Sequence, residues 1–319
     1  MPKLYTRQTV HASAAVAMLL VGLLTVPPAS AREKAGHDAA ATGATMTSEV
    51  NGLTTTTKPY ISAVAYCPAG TTITGVGFSV HPFLSAAGGT QRRIVVRKAR
   101  PVQIVTSSGV VRWGAWVSAR RPEQPAHNQT YTEWGVIAKA YCSSPLAGHQ
   151  IVRRQTTITG ASEWEARAEC PQDKVAIGSG YETQLSDERN EVVLDSMIPG
   201  VNSVSTKAFF SHVGGSANWI LDTYAICAYP VANRSVTSNF KLGNPSGNSD
   251  VKGQCPLGTL FLSPGFDLVN SLGQVRVSRS AIENSFLGGH GWSNASANED
   301  LDGTDLAWTL QTFAVCATI

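Results

Sequence analysis

The sequence predicts an all-β protein made of three pseudo-symmetric antiparallel units, arranged like a β-prism and stapled by disulfides. Three observations support this prediction: cysteine-anchored motifs recur three times, short β-branched segments alternate with Gly, Pro, Asn and Ser, and helical periodicity is almost absent. Only 15% of the 319 residues are charged and 43% are hydrophobic. This composition excludes a disordered polyelectrolyte and a strongly basic nucleic-acid binder.

The N-terminal segment has the pattern of an export signal. Lys3 and Arg7 precede an apolar stretch over residues 14–26, and Ala29-Ser30-Ala31 supplies a small-residue cleavage site. The apolar stretch is too short to span a bilayer, and no later run reaches the roughly 20 residues that a span needs. We therefore predict a cleaved signal peptide over 1–31, a secreted protein, and no membrane span after cleavage.

The remaining chain divides into a leader and one repeat domain. Residues 32–58 are small and polar, which predicts a flexible leader with room for a first strand from Val50 onward. Residues 59–319 are predicted to form a single domain with repeats of about 59–142, 143–227 and 228–319.

The repeat is marked by cysteines and by residues at fixed distances from them. Pro follows each opening cysteine, a Gly-aromatic pair begins ten residues after it, and Trp lies eight residues before each closing cysteine. The opening cysteines are Cys67, Cys170 and Cys255, the closing ones are Cys142, Cys227 and Cys316, the pairs are Gly77-Phe78, Gly180-Tyr181 and Gly265-Phe266, and the tryptophans are Trp134, Trp219 and Trp308.

Period-two alternation predicts which side of each strand is buried. Trp219 shares a strand face with Cys227, so the three motif tryptophans are expected in the core. In the opening strand of repeat two, the pattern places Trp164, Ala166, Ala168 and Cys170 inside and Glu163, Glu165, Arg167 and Glu169 outside. One buried and one wet face indicate antiparallel sheets, and we expect four or five strands in each unit.

Six cysteines in an exported chain predict three disulfides rather than a metal or redox site. Threefold equivalence leaves two pairings. Either each repeat closes on itself (67–142, 170–227, 255–316), or neighbouring repeats are chained (142–170, 227–255, 67–316). We favour the first, because it joins the opening and closing strands of each unit. No cofactor or metal is predicted.

The opening motif also carries a family resemblance. Cys67-Pro68-Ala69-Gly70 and Cys255-Pro256-Leu257-Gly258 resemble the exported Cys-Pro-x-Gly repeat proteins of filamentous actinobacteria, whereas Cys170-Pro171-Gln172-Asp173 departs from the motif at its fourth position. More remotely, the chain is similar to the vitelline-membrane-outer-layer proteins, which are β-prisms. The resemblance covers about residues 60–319 and implies the fold, but it supplies no catalytic residues.

Catalytic templates are missing from the sequence, and the remaining candidates are carboxylates. Glu191 with Asp195, or Glu163 with Glu165, could serve a glycosidase if they met in one groove. The segment Asp300 to Asp305 offers oxygen ligands for Ca²⁺, but it lacks the EF-hand arrangement, and we favour an acidic, solubilising hairpin loop.

Charge is polarised between the repeats. Nine basic and two acidic residues lie between Cys67 and Cys142, a net charge of +7, whereas the second and third cysteine-bounded segments each carry −4. Basic residues near tryptophans are suited to an anionic, ring-bearing polymer. The candidate ligand-binding residues are Arg92, Arg93, Arg97, Lys98, Arg100, Trp113 and Trp116. The alternative is that the basic unit complements its acidic neighbours across inter-repeat contacts.

The leading hypothesis is a secreted, non-catalytic protein that binds an extracellular, anionic polysaccharide or cell-wall polymer in a lectin-like manner. Nucleic acid is not an expected partner. Two alternatives belong to other classes. One is a secreted glycoside hydrolase or lyase with carboxylates in an inter-repeat cleft. The other is an inhibitor that presents a rigid loop from residues 81–91 or 120–130.

Overall fold

The computed structural model describes residues 46–56, 58–82, 94–105, 107, 109–121, 134–185, 191–211, 218–243, 248–284, 291–299 and 307–318. These residues form eighteen β-strands, six from each repeat. The described ranges contain no helix, and so none long and apolar enough to cross a membrane.

The strands follow the same order in each repeat. Repeat one contributes β1 (Met46–Thr56), β2 (Tyr60–Tyr66), β3 (Thr72–Pro82), β4 (Val95–Val105), β5 (Val111–Arg120) and β6 (Trp134–Ser143). Repeat two contributes β7 (Gln150–Thr159), β8 (Glu163–Glu169), β9 (Val175–Leu185), β10 (Glu191–Pro199), β11 (Ser203–Ser211) and β12 (Asn218–Ala228). Repeat three contributes β13 (Ala232–Leu242), β14 (Asn248–Gln254), β15 (Leu260–Val269), β16 (Val275–Asn284), β17 (Gly291–Glu299) and β18 (Thr309–Thr318).

Three antiparallel sheets of six strands surround one apolar core, as the predicted fold class requires. Sheet A has the order β1-β6-β3-β16-β17-β14, sheet B has β2-β5-β4-β9-β12-β7, and sheet C has β13-β18-β15-β10-β11-β8. Each sheet therefore takes three strands from one repeat and three from another. The expectation of four or five strands per unit was wrong, because each repeat contributes six strands and divides them equally between two sheets.

The two halves of each sheet meet along a short seam at its centre. Only two residue pairs join β3 to β16, β4 to β9, and β10 to β15. The aromatic residue of each Gly-aromatic motif lies at a seam, and the three rings meet inside. Phe78 packs edge-on against Tyr181 at 6.5 Å and against Phe266 at 6.3 Å. The motif thus fills the pseudo-threefold axis.

The glycine of the same motif allows the backbone and a proline ring of the neighbouring repeat to pack closely against it. A Cβ at Gly180 would lie 2.9 Å from the carbonyl oxygen of Ala99 and 2.8 Å from Cδ of Pro101. The equivalent glycine, Gly265, would meet Met197 and Pro199 in the same way. Glycine is required here because backbone and proline ring occupy the space of a side chain.

The disulfides pair within repeats, which confirms the favoured connectivity: Cys67–Cys142, Cys170–Cys227 and Cys255–Cys316. Each opening cysteine follows an edge strand of one sheet, and its partner lies in an adjacent sheet. The three bonds therefore clip neighbouring sheets together, all at one end of the prism. We refer to this end as the disulfide end.

The Cys-Pro motif forms a tight turn at the disulfide end. The Thr71 N–H donates to the carbonyl of Pro68, and Gly70 has φ of 79°. Lys174 and Pro171 make the same bond in repeat two, where Asp173 adopts φ of 69°. The third turn position must be left-handed, as in a type II turn, and Asp is among the residues that tolerate this. The departure from the motif in repeat two therefore keeps its geometry.

The three motif tryptophans are buried, as predicted. Trp134 donates its indole N–H to the carbonyl of Lys58, and Trp219 donates to that of Ala161. Trp308 donates to the Glu299 carboxylate at 2.7 Å. Each indole therefore closes the core at the end opposite the disulfides with its polar atom satisfied.

Two local expectations differ from the structure. The first strand begins at Met46 rather than Val50, so part of the segment 32–58 pairs with β6 inside sheet A. Trp164 was expected to face the core together with Ala166 and Ala168, but it is 44% exposed while both alanines are buried. The prediction for Trp164 was wrong because it lies near the start of edge strand β8, which has a neighbour in its sheet on one side only.

Candidate functional site: a groove on the outer face of sheet B

A groove of about 580 Å³ opens on sheet B where its two halves separate. Strands β4 and β9 pair only at Lys98–Glu182 and Ala99–Tyr181. Pro101 follows, and proline has no N–H with which to continue the ladder. Beyond it, β4 stays paired with β5 and departs from β9 towards the disulfide end. The groove therefore forms because the pairing between β4 and β9 ends just before Pro101.

Aromatic and aliphatic residues form most of the groove wall. Five consecutive residues of β4 border it, and the remainder come from β2, β5 and β7. The lining residues are Val64, Tyr66, Arg100, Pro101, Val102, Gln103, Ile104, Trp113, Trp116 and Ile151. A wall of rings with a few polar groups is typical of a site for a small organic ligand or a polymer segment.

Two cations lie on the indole of Trp116. The Lys98 ammonium is 4.2 Å from the ring centroid, and the Arg100 guanidinium carbon is 4.9 Å from it. The register explains the cluster, because Arg100 pairs directly with Trp116 and Lys98 pairs with Ser118 one row away. Cation–π contacts of this kind hold the basic side chains in fixed positions.

The Glu182 carboxylate fixes the same two cations from across the seam. Its two oxygens lie 2.7 Å from Lys98 Nζ and 2.9 Å from Arg100 Nε, and Tyr224 donates its hydroxyl to it at 3.5 Å. Burial raises the pKa of Tyr224 to about 12, so its hydroxyl stays protonated and remains a donor at neutral pH. Basic side chains of repeat one therefore pair with an acidic side chain of repeat two at this seam. This is the kind of inter-repeat contact that the alternative interpretation of the charges describes.

A second ion pair lies farther along the outer face. Arg153 on β7 makes a two-pronged contact with buried Asp222 on β12, at 3.0 and 2.8 Å. The hydrogen bonds that Arg153 donates to the Asp222 carboxylate raise the pKa of Arg153. Gln184 donates to the same carboxylate at 3.1 Å. The acids of this face are thus engaged by cations that strand pairing places beside them.

His149 packs against Trp113, one of the residues that line the groove. The two rings meet edge-on at 5.1 Å, and the His149 Nε2 atom lies 2.8 Å from the carbonyl oxygen of Ile73. Burial lowers the pKa of His149, which favours the neutral ring with Nε2 as a hydrogen-bond donor. Trp113 is consequently held by packing rather than by a charge.

The equivalent positions in the other two sheets are filled. In sheet A, the counterpart of Gly114 is Trp292, whose indole packs against the core and donates to Glu283. In sheet C, Arg234 bonds to the carbonyls of Ala176 and Gly200 and bridges the same gap. Sheet B has Gly114 in place of an indole and a longer β4–β5 hairpin, so its groove stays open.

The predicted site residues are partly brought together. Lys98, Arg100, Trp113 and Trp116 converge on the groove. Arg97 lies at the bulge of β4, where its carbonyl accepts a hydrogen bond from Thr183 at 3.2 Å. Arg92 and Arg93 lie outside the described residues, as do the Asp300–Asp305 loop and most of segments 81–91 and 120–130.

The carboxylates considered for catalysis are engaged in separate ion pairs and hydrogen bonds, although Asp195 lies close enough to Glu163 for their charges to interact. Glu191 pairs with Arg276 at 2.7 Å, and Glu163 pairs with Lys207 at 2.5 Å. Asp195 is buried and accepts a hydrogen bond from Ser271. Within the described ranges, no group of three or more His, Cys, Asp or Glu residues could hold a metal ion.

Sequence reasoning missed Tyr66 and Ile151, which also line the groove. Tyr66 had a signal, because Tyr60, Ser62, Val64 and Tyr66 alternate with small or aliphatic residues on one strand. Ile151 had none, because it reaches the groove only through the sharing of sheet B between two repeats.

Comparison with known proteins adds no identification. No protein-family model matches the chain, and no curated protein has a significantly similar sequence.

Proposed function

We propose that this protein is a secreted, non-catalytic binding protein that holds an acidic extracellular polysaccharide in the groove of sheet B. The observation that carries the proposal is the aromatic-walled groove lined by Arg100 and Trp116, where Arg100 and the neighbouring Lys98 lie on the Trp116 ring. Sugar rings stack on the apolar faces of indoles such as the half-buried Trp116, while fixed cations bind carboxylate or sulfate groups.

The charge of the outer face favours an anionic ligand. The basic residues on this face outnumber its two acids. Those acids, Glu182 and Asp222, are both already ion-paired. By strand register, the basic residues on this face are Lys98, Arg100, Arg112, Arg120 and Arg153. Since the two acids offset only part of this charge, an acidic polymer is attracted and a basic one is repelled.

The composition of the groove favours binding over hydrolysis. A glycosidase acts through two carboxyl groups that flank the bond to be cleaved, whereas the described lining residues are aromatic, aliphatic, amide and a single arginine. The competing enzyme hypothesis therefore receives no support from this groove, and we propose recognition without chemistry.

Export is the remaining part of the proposal. The three disulfides are characteristic of an oxidising compartment such as the cell exterior. Together with the predicted signal peptide over 1–31, they support secretion, which places the groove among extracellular polymers.

A glycan array, followed by calorimetric titration of the strongest hits, tests the proposal. We expect acidic polysaccharides to bind and neutral ones to bind more weakly, with affinity falling as salt rises because exposed charges are screened. Trp116→Ala and Arg100→Ala should each weaken binding by about five- to thirtyfold, since each removes a contact worth about 1–2 kcal/mol.

Trp164→Ala is the matched control, because Trp164 is an exposed indole on sheet C, away from the groove. It should bind like the wild type. The proposal fails if no acidic glycan binds at low salt, or if Trp164→Ala weakens binding as much as Trp116→Ala.

A further inference from the structure

We propose that the binding face extends beyond the groove to a second anionic subsite formed by Tyr60 and Arg120, so that the ligand lies along strands β2 and β5. This inference rests on the proposed function and specifies its ligand. The Arg120 guanidinium carbon is 5.1 Å from the centroid of the Tyr60 ring, so a cation lies on an aromatic ring here as it does at Trp116.

Strand register places the two subsites on the same face. Tyr60 pairs with Arg120, Ser62 with Ser118, and Val64 with Trp116, and side chains two residues apart along a strand share a face. Trp116 and Arg120 are four residues apart, which at about 3.3 Å per residue separates the subsites by about 13 Å. Among the residues that the structure describes, strand register places Ser62, Ser118 and Lys98 on the same face between the two subsites.

Some hydrogen-bond donors on this face have no acceptor within the described protein. Among the described residues, Nε and Nη1 of Arg120 and Nε1 of Trp116 are buried without a hydrogen-bond partner. All three are donors, and a guanidinium fork is matched in geometry to a carboxylate or sulfate. These atoms are enclosed by protein, so a carboxylate or sulfate pairs with them only when the half-buried Arg120 and Trp116 side chains turn outward to meet it.

These features define the class of ligand. It is a linear polysaccharide with carboxylate or sulfate groups recurring along its length, long enough to reach both the Trp116 groove and Arg120. A short oligomer occupies the groove alone. A longer one engages both subsites, and its affinity rises because the second contact is intramolecular.

Oligomers of galacturonic acid, from the dimer to the octamer, provide the test by calorimetric titration of the full chain. Wild-type affinity should increase by about tenfold or more across the series. Arg120→Ala should abolish most of this increase and leave dimer affinity unchanged, and Arg120→Lys should restore part of it. Tyr60→Ala, on an edge strand, gives a second variant of the same subsite. Melting temperatures verify that each variant folds.

Lys252→Ala is the matched control, because Lys252 also lies on an aromatic ring, Trp292 at 4.8 Å, but on sheet A. It should keep the full length dependence. If Arg120→Ala and Tyr60→Ala both keep it while Trp116→Ala abolishes binding, the second subsite is refuted and the proposed function stands. If Trp116→Ala binds like the wild type, the proposed function fails as well. Equal binding of poly-glutamate of matched length would overturn the polysaccharide assignment in favour of acidic peptides.

Discussion

Replacing the buried carboxyl of Asp195 should stabilise the protein at neutral pH. Asp195 lies at the bulge of β10 in sheet C, is 1% exposed, and accepts a hydrogen bond from Ser271. Burial raises its pKa to about 7, which outweighs the lowering effects of the Ser271 hydrogen bond and of Lys207. The equivalent bulge positions carry Arg97 in sheet B and Ser278 in sheet A, so no repeat-wide feature requires an acid here.

The sign and size of the effect follow from the difference between folded and unfolded pKa values. Between the ordinary aspartate pKa of 3.8 and the raised pKa of about 7, the folded protein binds more protons at Asp195 than the unfolded chain does. The contribution of Asp195 to stability is therefore greatest below pH 3.8 and is lost as pH rises towards 7. A difference of about three pKa units corresponds to about 4 kcal/mol. Asp195→Asn keeps the shape of the neutral carboxyl and carries no charge at any pH.

Urea unfolding of wild type and Asp195→Asn, with disulfides intact and at a series of pH values from 4 to 8, measures this directly. The variant should gain stability relative to the wild type as pH rises, by up to about 4 kcal/mol at pH 8, and the difference should be smallest near pH 4. Glu169→Gln, a change at an exposed acid, should show no such trend. A difference that stays constant with pH, or one that grows towards acid, would refute the reasoning.

Three further changes test the architecture by the same unfolding assay. Phe266→Ala removes one of the three rings at the pseudo-threefold axis and should cost about 3–5 kcal/mol; a cost below 1 kcal/mol would contradict the axial packing. Gly180→Ala places a Cβ against Ala99 and Pro101 and should cost about 1–3 kcal/mol, whereas a neutral result would mean that the seam is looser than described. Replacing Cys170 and Cys227 together by Ala opens a 57-residue separation and should cost about 4 kcal/mol, and unchanged stability would argue that this clip contributes nothing.

Much of the fold could be predicted because its determinants recur in the sequence. Residues at matched distances have the same role in each repeat. The cysteines link neighbouring sheets, the prolines begin a tight turn, the aromatic residues of the Gly-aromatic pairs pack at the pseudo-threefold axis, and the tryptophans close the core at the opposite end. Symmetry reduced the disulfide pairings to two, and the expectation that each unit joins its own opening and closing strands selected the observed one. The burial of Trp134, Trp219 and Trp308 followed from strand periodicity.

The sharing of sheets between repeats could not be predicted, because strand order depends on contacts between segments far apart in the chain. Lys98 and Glu182 face each other across a seam, yet nothing local to either residue indicates it. The prediction from periodicity also failed for Trp164, which is exposed. Alternation along a strand indicates which face a side chain lies on. It does not indicate whether another layer covers that face near the end of an edge strand.

The candidate site was partly accessible from the sequence. Clustering of basic residues and tryptophans in repeat one identified Lys98, Arg100, Trp113 and Trp116, since all lie on one hairpin. The contributions of Glu182, Tyr224 and Ile151 come from repeat two and required the composite sheet. The openness of the groove depends on Gly114 standing where sheet A has an indole, which is visible only once the sheets are superposed by register.

Hydrogen–deuterium exchange of the full chain with and without an acidic polysaccharide tests the central claim most directly, because pseudo-symmetry supplies internal controls. The account predicts that bound polymer slows amide exchange in β2, β4 and β5 around the groove and leaves the equivalent strands β8, β10 and β11 of sheet C unchanged. Slower exchange in sheet C instead, or equal protection of the equivalent strands in all three sheets, would contradict it.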